Sequence, residues 1–336
     1  MRMLGSIMRG SVRRGFAALL AASLVATAFA AACGPDEPEF PTRDIEWFVG
    51  FAAGGGFDTA SRLIADKMSD ELGVNVVVRN IEGGGGRRAV QEIARSDPDG
   101  HAISIMNMPN QITAERLDPE DVDFNELAWV GRAVIQTYGL YTASANDFNT
   151  PEDLQGMPDV RFCLSGLAGH SFLVASVTTE VMDIAWNPVT GYRGQETQAG
   201  LLRGDCELAL GPIAGTTLTA VQGPDFKVLW MYSSERFGPV PDAPTVDELG
   251  YPELGGSKFA NNGLVAAAPG TPDSAIETLS EAFNNALANP AVVEGINNAG
   301  MDIVPLTPAE TAETVTGMDG IVSEYIDTVR QKSQAQ

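Results

Sequence analysis

Residues 45–68 of the chain read IEWFVGFAAGGGFDTASRLIADKM. The short apolar run stops at a glycine cluster and is followed, from Ala60 to Met68, by apolar residues at helical spacing. A second unit of the same kind begins with VNVVVRN at 74–80 and continues through the glycines 83–86 into another helical pattern. Because glycines let a chain turn sharply between a strand and a helix, two such units predict an α/β fold.

Both glycine clusters are suited to hold an anion. The first backbone N–H groups of a helix have no intrahelical acceptor, and the helix dipole adds partial positive charge at the same place. Neither cluster has the spaced glycines of a dinucleotide-binding turn, and neither ends in the Gly-Lys-Ser/Thr of a phosphate loop. The clusters therefore predict a site for an anion other than a nucleotide, with unstructured glycine-rich loops as the alternative.

Strand-like and helical stretches continue to alternate along the chain. We expect strands near 45–50, 74–79, 102–106, 128–142, 159–164, 184–190, 206–210, 226–233 and 262–268. The clearest helical patterns are Asp273–Leu287 and Pro308–Val329, and Thr150 precedes a helix start. This alternation predicts mainly parallel sheets, whose ligands lie beyond the carboxyl ends of the strands.

The N-terminal segment predicts export. Arginines precede the uncharged apolar stretch Phe16–Ala32, which is the pattern of a signal peptide over residues 1–32. Residues 33–43 are polar and proline-bearing, as in a tether. Cys33 follows three alanines and precedes a glycine, so it is either the lipidation site of a bacterial lipoprotein or part of a simply secreted chain. Either reading places the protein in the periplasm or on the outer face of the cytoplasmic membrane.

Charge and cysteine content narrow the classes of partner. The chain has 44 acidic and 21 basic residues and a formal net charge of -23, which excludes nucleic acid and anionic lipid surfaces as partners. A small anionic ligand stays compatible, because local donors decide binding in a cleft. Cys163 and Cys206 would meet an oxidising compartment, which favours a disulfide over two buried free thiols.

Catalytic and metal-binding patterns are weak. Of the two histidines, His101 follows a turn and His170 lies in SGLAGHS, residues 165–171. That segment does not match the Gly-x-Ser-x-Gly turn of serine hydrolases, and no zinc or calcium spacing occurs in the chain. We therefore expect a binding protein without a cofactor or metal. The alternative is an exported α/β enzyme that uses His170 and Ser171 on a carboxylated substrate.

Several segments, in order along the chain, resemble the tripartite tricarboxylate transporter solute receptors, the Bug-type extracytoplasmic binding proteins. They are FAAGGGFD at 51–58, VVVRN at 76–80 with the glycines after it, DPDGH at 97–101, GYRG at 191–194, GDCE at 204–207, PDAPTVDELG at 241–250 and AAAPGTP at 266–272. The resemblance implies a two-lobed periplasmic binding protein of type II-like fold with a ligand cleft between the lobes. It assigns residues 44–140 and 256–336 to the first lobe and 141–255 to the second.

The resemblance also implies a function. It identifies the chain as a non-enzymatic receptor that captures a small organic carboxylate, either a di- or tricarboxylate or an aromatic acid. The receptor is expected to be a monomer and to deliver its ligand to a membrane permease. A binding protein that feeds a sensor kinase is an open alternative.

Site residues are carried over from the family by position. The first lobe would contribute Phe51, Ala53, Gly54, Gly55, Gly56 and Asp58, together with Gly84, Gly85 and Gly86. The second lobe would contribute Ser165, Gly169, His170, Ser171, Tyr192 and Arg193. Arg87 and Arg88 stand where relatives often have Asn and an aliphatic residue. We hypothesise that one of them meets a second anionic group, with two solvated arginines as the alternative.

Overall fold

The computed structural model describes residues 40–120, 122–167, 169–256 and 259–334. The predicted signal peptide, most of the tether and Cys33 lie outside the described residues. Residues from Arg43 onward form one compact unit.

The described strands form two five-stranded sheets. The first has the order β2-β1-β3-β10-β4 and the second the order β7-β6-β8-β5-β9. The strands are β1 (Ile45–Val49), β2 (Val76–Asn80), β3 (Ala102–Met108), β4 (Ala128–Gln136), β5 (Tyr138–Ala143), β6 (Val160–Leu164), β7 (Trp186–Thr190), β8 (Leu208–Pro212), β9 (Phe226–Met231) and β10 (Asn261–Ala267). Each predicted strand region therefore holds at least one strand, and we call each sheet with its helices a lobe.

The α-helices between and after these strands are α1 (Gly56–Leu72), α2 (Arg87–Ala94), α3 (Asn110–Leu117), α4 (Pro151–Gln155), α5 (His170–Val181), α6 (Gln195–Arg203), α7 (Gly215–Val221), α8 (Asp273–Leu287), α9 (Pro290–Asn298) and α10 (Pro308–Gln334). Helix α8 has the predicted bounds, and α10 continues past its predicted end. The predicted start after Thr150 is confirmed by a capping box with Asp153. Within the described ranges, no helix combines the length and apolar character needed to cross a membrane.

Both sheets are mixed, so the prediction of mainly parallel sheets was wrong in this detail. Strand β1 pairs in parallel with β2 and β3, and β6 pairs in parallel with β7 and β8. Strand β10 is antiparallel to β3 and β4, and β5 is antiparallel to β8 and β9. Every antiparallel pair thus contains a strand next to a crossing between the lobes. Such strands are not connected to their sheet neighbours by the crossover helix that parallel pairing requires.

The first crossing between the lobes takes a single residue. Strand β4 ends at Gln136 and β5 begins at Tyr138, so only Thr137 separates strands of different sheets. The sequence pattern predicted one run over 128–142 because both strands are almost wholly buried and their apolar residues run together. The chain therefore enters the second sheet before the expected lobe boundary after residue 140.

Helix α10 packs against both lobes. It contacts α3 and β4 of the first lobe and α5 of the second. Its buried stripe of Val315, Met318, Val322 and Val329 has helical spacing and belongs to a core cluster that also includes Leu264 of β10 and Phe162 of β6. The last helix therefore contacts elements of both lobes.

The predicted disulfide is present. Cys163 of β6 is bonded to Cys206, which lies just before β8, with 5.6 Å between the Cα atoms. Strands β6 and β8 pair in parallel in the middle of the second sheet. The disulfide therefore links the end of β6 to the segment that leads into β8.

Candidate functional site

The two glycine loops lie side by side at one edge of the first sheet. In the parallel pair β1/β2, the terminal residues Val49 and Asn80 are partners, so both loops leave the sheet at the same edge. A Cβ atom on Gly50 would lie 2.6 Å from the Gly86 Cα atom, so the backbones of the two loops touch. Gly86 has a φ of 104°, a left-handed conformation that favours glycine.

A hydrogen-bond network around Asp58 fixes the first loop. Its carboxylate accepts from the Gly54 N–H at 2.8 Å, from Arg62 Nε at 3.0 Å and from Asn80 Nδ2 at 2.8 Å. Asn80 Nδ2 also donates to the Phe51 carbonyl. Burial raises the pKa of Asp58, but the hydrogen bonds from Arg62, Gly54 and Asn80 outweigh it and hold the pKa below its usual value. Asp58, a predicted ligand residue, is thus ionised and holds the first loop in shape through its hydrogen bonds. We call this network the Asp58 clamp.

The tip of the first loop carries the groups suited to an anion. Ala53, Gly54 and Gly56 are exposed, and Gly55 is the N-terminal cap of α1. The N–H groups of the first helical turn have no acceptor within the helix. Phe51 stacks on Phe57 with ring centroids 5.2 Å apart and so forms an aromatic wall beside these amides.

Gln111 supports the second loop and was not expected from the sequence. Its Nε2 donates to the Gly85 carbonyl at 2.7 Å, and the side chain is buried on α3. A Cβ atom on Gly86 would lie 2.9 Å from the same nitrogen, so Gln111 contacts two of the predicted glycines. A lone glutamine at a helix start has no spacing pattern by which the sequence could have shown this role.

The Arg87 guanidinium lies among three carboxylates. Its guanidinium lies 3.0 Å from an Asp118 carboxylate oxygen, 3.3 Å from one of Glu120 and 3.6 Å from one of Glu115. Arg88 is exposed and donates to the Glu82 carbonyl. The arrangement of Arg87 disfavours the hypothesis that it meets a second anionic group, because three carboxylates already surround it.

A cavity of about 250 Å³ in the second lobe gathers four of the predicted residues. Its lining includes Ser165, Ser171, Tyr192 and Arg193, together with Thr197, Thr217 and Tyr141, which were not predicted. Burial raises the pKa of Tyr141 to about 12, against the opposing effect of a hydrogen bond with Thr217. The tyrosine therefore stays protonated near neutral pH. The wall of the cavity is rich in hydroxyl groups. The Tyr192 hydroxyl donates to Asp205, whereas serine and threonine hydroxyls such as that of Ser165 can donate to a carboxylate.

Arg193 provides the cationic group at this cavity. It is exposed, and it forms no ion pair with any residue that the structure describes. By contrast, Arg161 and Arg203 of the same lobe are each paired with a carboxylate. An unpaired guanidinium beside hydroxyl groups fits the carboxylate of a ligand.

His170 is a buried core residue. The side chain is buried, its ring meets Tyr138 edge-on at 4.7 Å, and its Nε2 lies 2.9 Å from the Phe259 carbonyl. Because a carbonyl only accepts, Nε2 carries the proton. Burial lowers the pKa of His170 to about 4, against the opposing effect of the Phe259 hydrogen bond. The ring is therefore neutral near pH 7, and its position is unsuited to the role of general base that the enzyme alternative needs.

Gly300 and Met301 link the two groups of site residues. The Met301 Cε atom would lie 3.4 Å from a Cβ on Gly56, at the start of α1. A Cβ on Gly300 would lie 3.2 Å from the Ala214 Cβ atom of the second lobe, just before α7. Apart from Arg87 and His170, the described structure thus places the predicted residues in two clusters, one in each lobe, and the Gly300–Met301 segment contacts both lobes. Gly169 caps α5 behind Ser165 in the second cluster.

Comparisons with known proteins identify relatives over most of the chain. The family model described as Tripartite tricarboxylate transporter family receptor, TctC, matches residues 60–316. Protein BugT of Bordetella pertussis is 28% identical over 302 residues, which cover 85% of this chain and 90% of that protein.

Solved structures share the fold. A TctC solute binding protein from Polaromonas, solved without ligand, has a TM-score of 0.76 at 18% identity and covers 87% of this chain and 99% of its own. A Rhodopseudomonas palustris protein with adipate has a TM-score of 0.65 at 21% identity, with coverage of 87% and 98%. MatC from the same organism, with bound malate, has a TM-score of 0.61 at 22% identity, with coverage of 88% and 100%. These structures confirm the two-lobed α/β fold.

The contact between the glycine loops can be tested with Gly50→Ala. The added Cβ would meet the Gly86 backbone, which cannot give way as a side chain can, so we expect a loss of about 1–3 kcal/mol in the free energy of unfolding. Gly166→Ala is the control, because a Cβ there would meet nothing within 4 Å. Urea unfolding of both variants makes the comparison. Equal stability of the two would contradict the close contact.

The buried His170 predicts a pH dependence of stability. Its pKa is about 4 when folded and about 6.5 when unfolded. Between these values the unfolded chain binds a proton that the folded chain does not, so the free energy of unfolding falls as the pH falls, by about 3 kcal/mol in total. His170→Gln keeps a donor for the Phe259 carbonyl and should lose this part of the slope. Urea unfolding from pH 7.5 to 4.5 measures it, and parallel curves for the two proteins would refute the assignment.

Proposed function

The chain belongs to the tripartite tricarboxylate transporter receptor family, and we propose that it captures a small organic carboxylate between its lobes for a membrane permease. The members of this family are solute-binding receptors and not enzymes, which agrees with the buried, hydrogen-bonded state of His170. The observation that carries the proposed ligand class is the unpaired Arg193 at the hydroxyl-lined cavity of the second lobe. Di- and tricarboxylates and aromatic acids are the candidates.

The first lobe supplies a second place for negative charge. The exposed tip of its first loop ends at the N-terminus of α1, a helix of 17 residues, where unpaired N–H groups and the helix dipole favour an anion. The Asp58 clamp holds this loop in shape without using the N–H groups of the first helical turn. A ligand with carboxylates at both ends would suit one cluster in each lobe.

The relatives support this choice of ligand. MatC was solved with bound malate, and another Rhodopseudomonas palustris protein was solved with adipate. Both molecules are dicarboxylates. The acidic chain, with its net charge of -23, must use local donors to hold such a ligand, and those donors are the ones found in the two clusters.

The proposed place of action is the periplasm or the outer face of the cytoplasmic membrane. This follows from the signal-peptide pattern over residues 1–32 and from the periplasmic binding proteins among the structural relatives, such as BugD. The part of the proposal that concerns a lipid anchor rests on the sequence around Cys33 alone.

The proposed ligand class is tested by binding. We expect malate or adipate, in a thermal-shift screen with tricarboxylates and aromatic acids, to raise the melting temperature by mass action and to remain chemically unchanged. Arg193→Ala should raise the dissociation constant, measured by calorimetry, about tenfold to a hundredfold, because a charge-assisted hydrogen bond to the ligand is lost. Arg95→Ala removes an exposed arginine of the first lobe and is the control. If no carboxylate binds, or if both variants bind as the unmodified protein does, the proposal fails.

The proposed lipid anchor is tested by expressing the full chain and Cys33→Ala in a bacterial host. The unmodified protein should fractionate with membranes and gain the mass of acyl chains on its first mature residue. The variant should be released in soluble form or stay unprocessed. A soluble, unacylated unmodified protein would show simple secretion instead.

A further inference from the structure

Tyr192 forms hydrogen bonds with two residues that adjoin the disulfide-bonded cysteines in the chain. Its backbone N–H donates to the Leu164 carbonyl at 3.1 Å, and its hydroxyl donates to Asp205 Oδ2 at 3.0 Å. Leu164 follows Cys163 in the chain, and Asp205 precedes Cys206. The disulfide therefore joins the two segments that hold this tyrosine.

The Tyr192 ring packs tightly against α6 and against the disulfide. A Cβ atom on Gly200 of α6 would lie 2.5 Å from the Tyr192 Cε1 atom and 3.1 Å from the Cys163 Sγ atom. The ring, the helix backbone and the sulfur are thus in close contact. Only a residue without a side chain fits between them.

Asp205 is held in place as an acceptor. Arg203 donates to the same oxygen, Oδ2, through Nε at 2.9 Å and Nη2 at 2.6 Å. The hydrogen bonds from Arg203 and then from Tyr192 hold the pKa of Asp205 below its usual value. The carboxylate is therefore ionised at neutral pH and always accepts from the tyrosine. It is partly exposed, so the ion pair itself adds little to stability.

Glycines with positive φ stand on both sides of Tyr192 and Arg193. Gly191 has a φ of 101° and Gly194 a φ of 53°, and these glycines bracket Tyr192 and Arg193. Arg193 has no ion pair among the described residues that could fix it. Its carbonyl accepts from the Glu196 N–H at 3.1 Å, so the position of Arg193 at the cavity is set by this turn and by the neighbouring Tyr192.

We propose that Asp205 and the Cys163–Cys206 disulfide are positioning residues for Tyr192 and Arg193. Ligand affinity then falls when Asp205 is removed or when the disulfide is reduced. The inference rests on the proposed carboxylate-binding function, since it needs Arg193 to meet the ligand. Neither Asp205 nor the disulfide is required to touch the ligand itself.

The hydrogen-bond part is tested by calorimetry with malate and adipate. Asp205→Ala and Tyr192→Phe should each weaken binding about tenfold, and the double variant should be no weaker than either, because both remove one shared bond. Asp205→Asn keeps an oxygen acceptor and should recover most of the affinity. Asp147→Ala removes an exposed carboxylate of the same lobe and is the control. Unchanged binding in Asp205→Ala, additive losses, or equal losses in Asp205→Asn would overturn the proposal.

The disulfide part uses the same titrations with a reductant. Reduced protein and the double variant Cys163→Ala/Cys206→Ala should both bind about tenfold more weakly, and the reductant should not change the variant further. Circular dichroism checks that both forms stay folded at the assay temperature. Affinity that is the same in the oxidised and reduced forms would overturn this part.

Hydrogen–deuterium exchange of the peptide covering residues 190–194 separates the two proposals, because it needs no ligand. Exchange should rise in Asp205→Ala and in reduced protein, and stay unchanged in Asp147→Ala. If no carboxylate binds the unmodified protein but exchange rises as expected, the proposed carboxylate-binding function is wrong, and the positioning of Tyr192 by Asp205 and the disulfide is supported. If ligand binds and exchange does not change, the positioning role is wrong.

Discussion

The parallel pairing of β1 with β2 is the constraint on which the candidate site depends. Because Val49 and Asn80 end as partners, both glycine loops leave the sheet at one edge. Their backbones then touch at Gly50 and Gly86, an approach that a larger residue at Gly50 would block. Asn80, at the end of β2, donates to the Phe51 carbonyl and to the Asp58 carboxylate, so the pairing also sets the shape of the first glycine loop.

Much of the fold could be predicted because each lobe is built from local units. Strands and helices such as β1, α1 and α8 show their period within a few residues, and caps such as Thr150 mark their starts. The crossing at Thr137 could not be seen, because strands on both sides of it are buried and read as one apolar run. The direction of β5 and β10 depends on which sheet the chain enters, and no local pattern carries that information.

The positions of the glycine loops could be predicted from composition, whereas the side chains that surround the candidate site could not. Glycine clusters mark the loops of the first lobe by composition alone, whereas Gln111 and Thr217 have no distinguishing pattern. Arg87 directly follows the second glycine cluster in sequence, yet its guanidinium pairs with carboxylates about thirty residues further along the chain, which no local pattern indicates. Whether the predicted residues share a bound ligand stays a prediction for the binding experiments.

Helix α10 limits how the receptor can open. Its apolar stripe of Val315, Met318, Val322 and Val329 is buried in a core that it shares with both sheets. Parting the lobes on this side would expose those side chains to water, at a cost of roughly 1.5–3 kcal/mol for each. A relative motion of the lobes that keeps these side chains buried must therefore leave α10 packed against elements of both sheets.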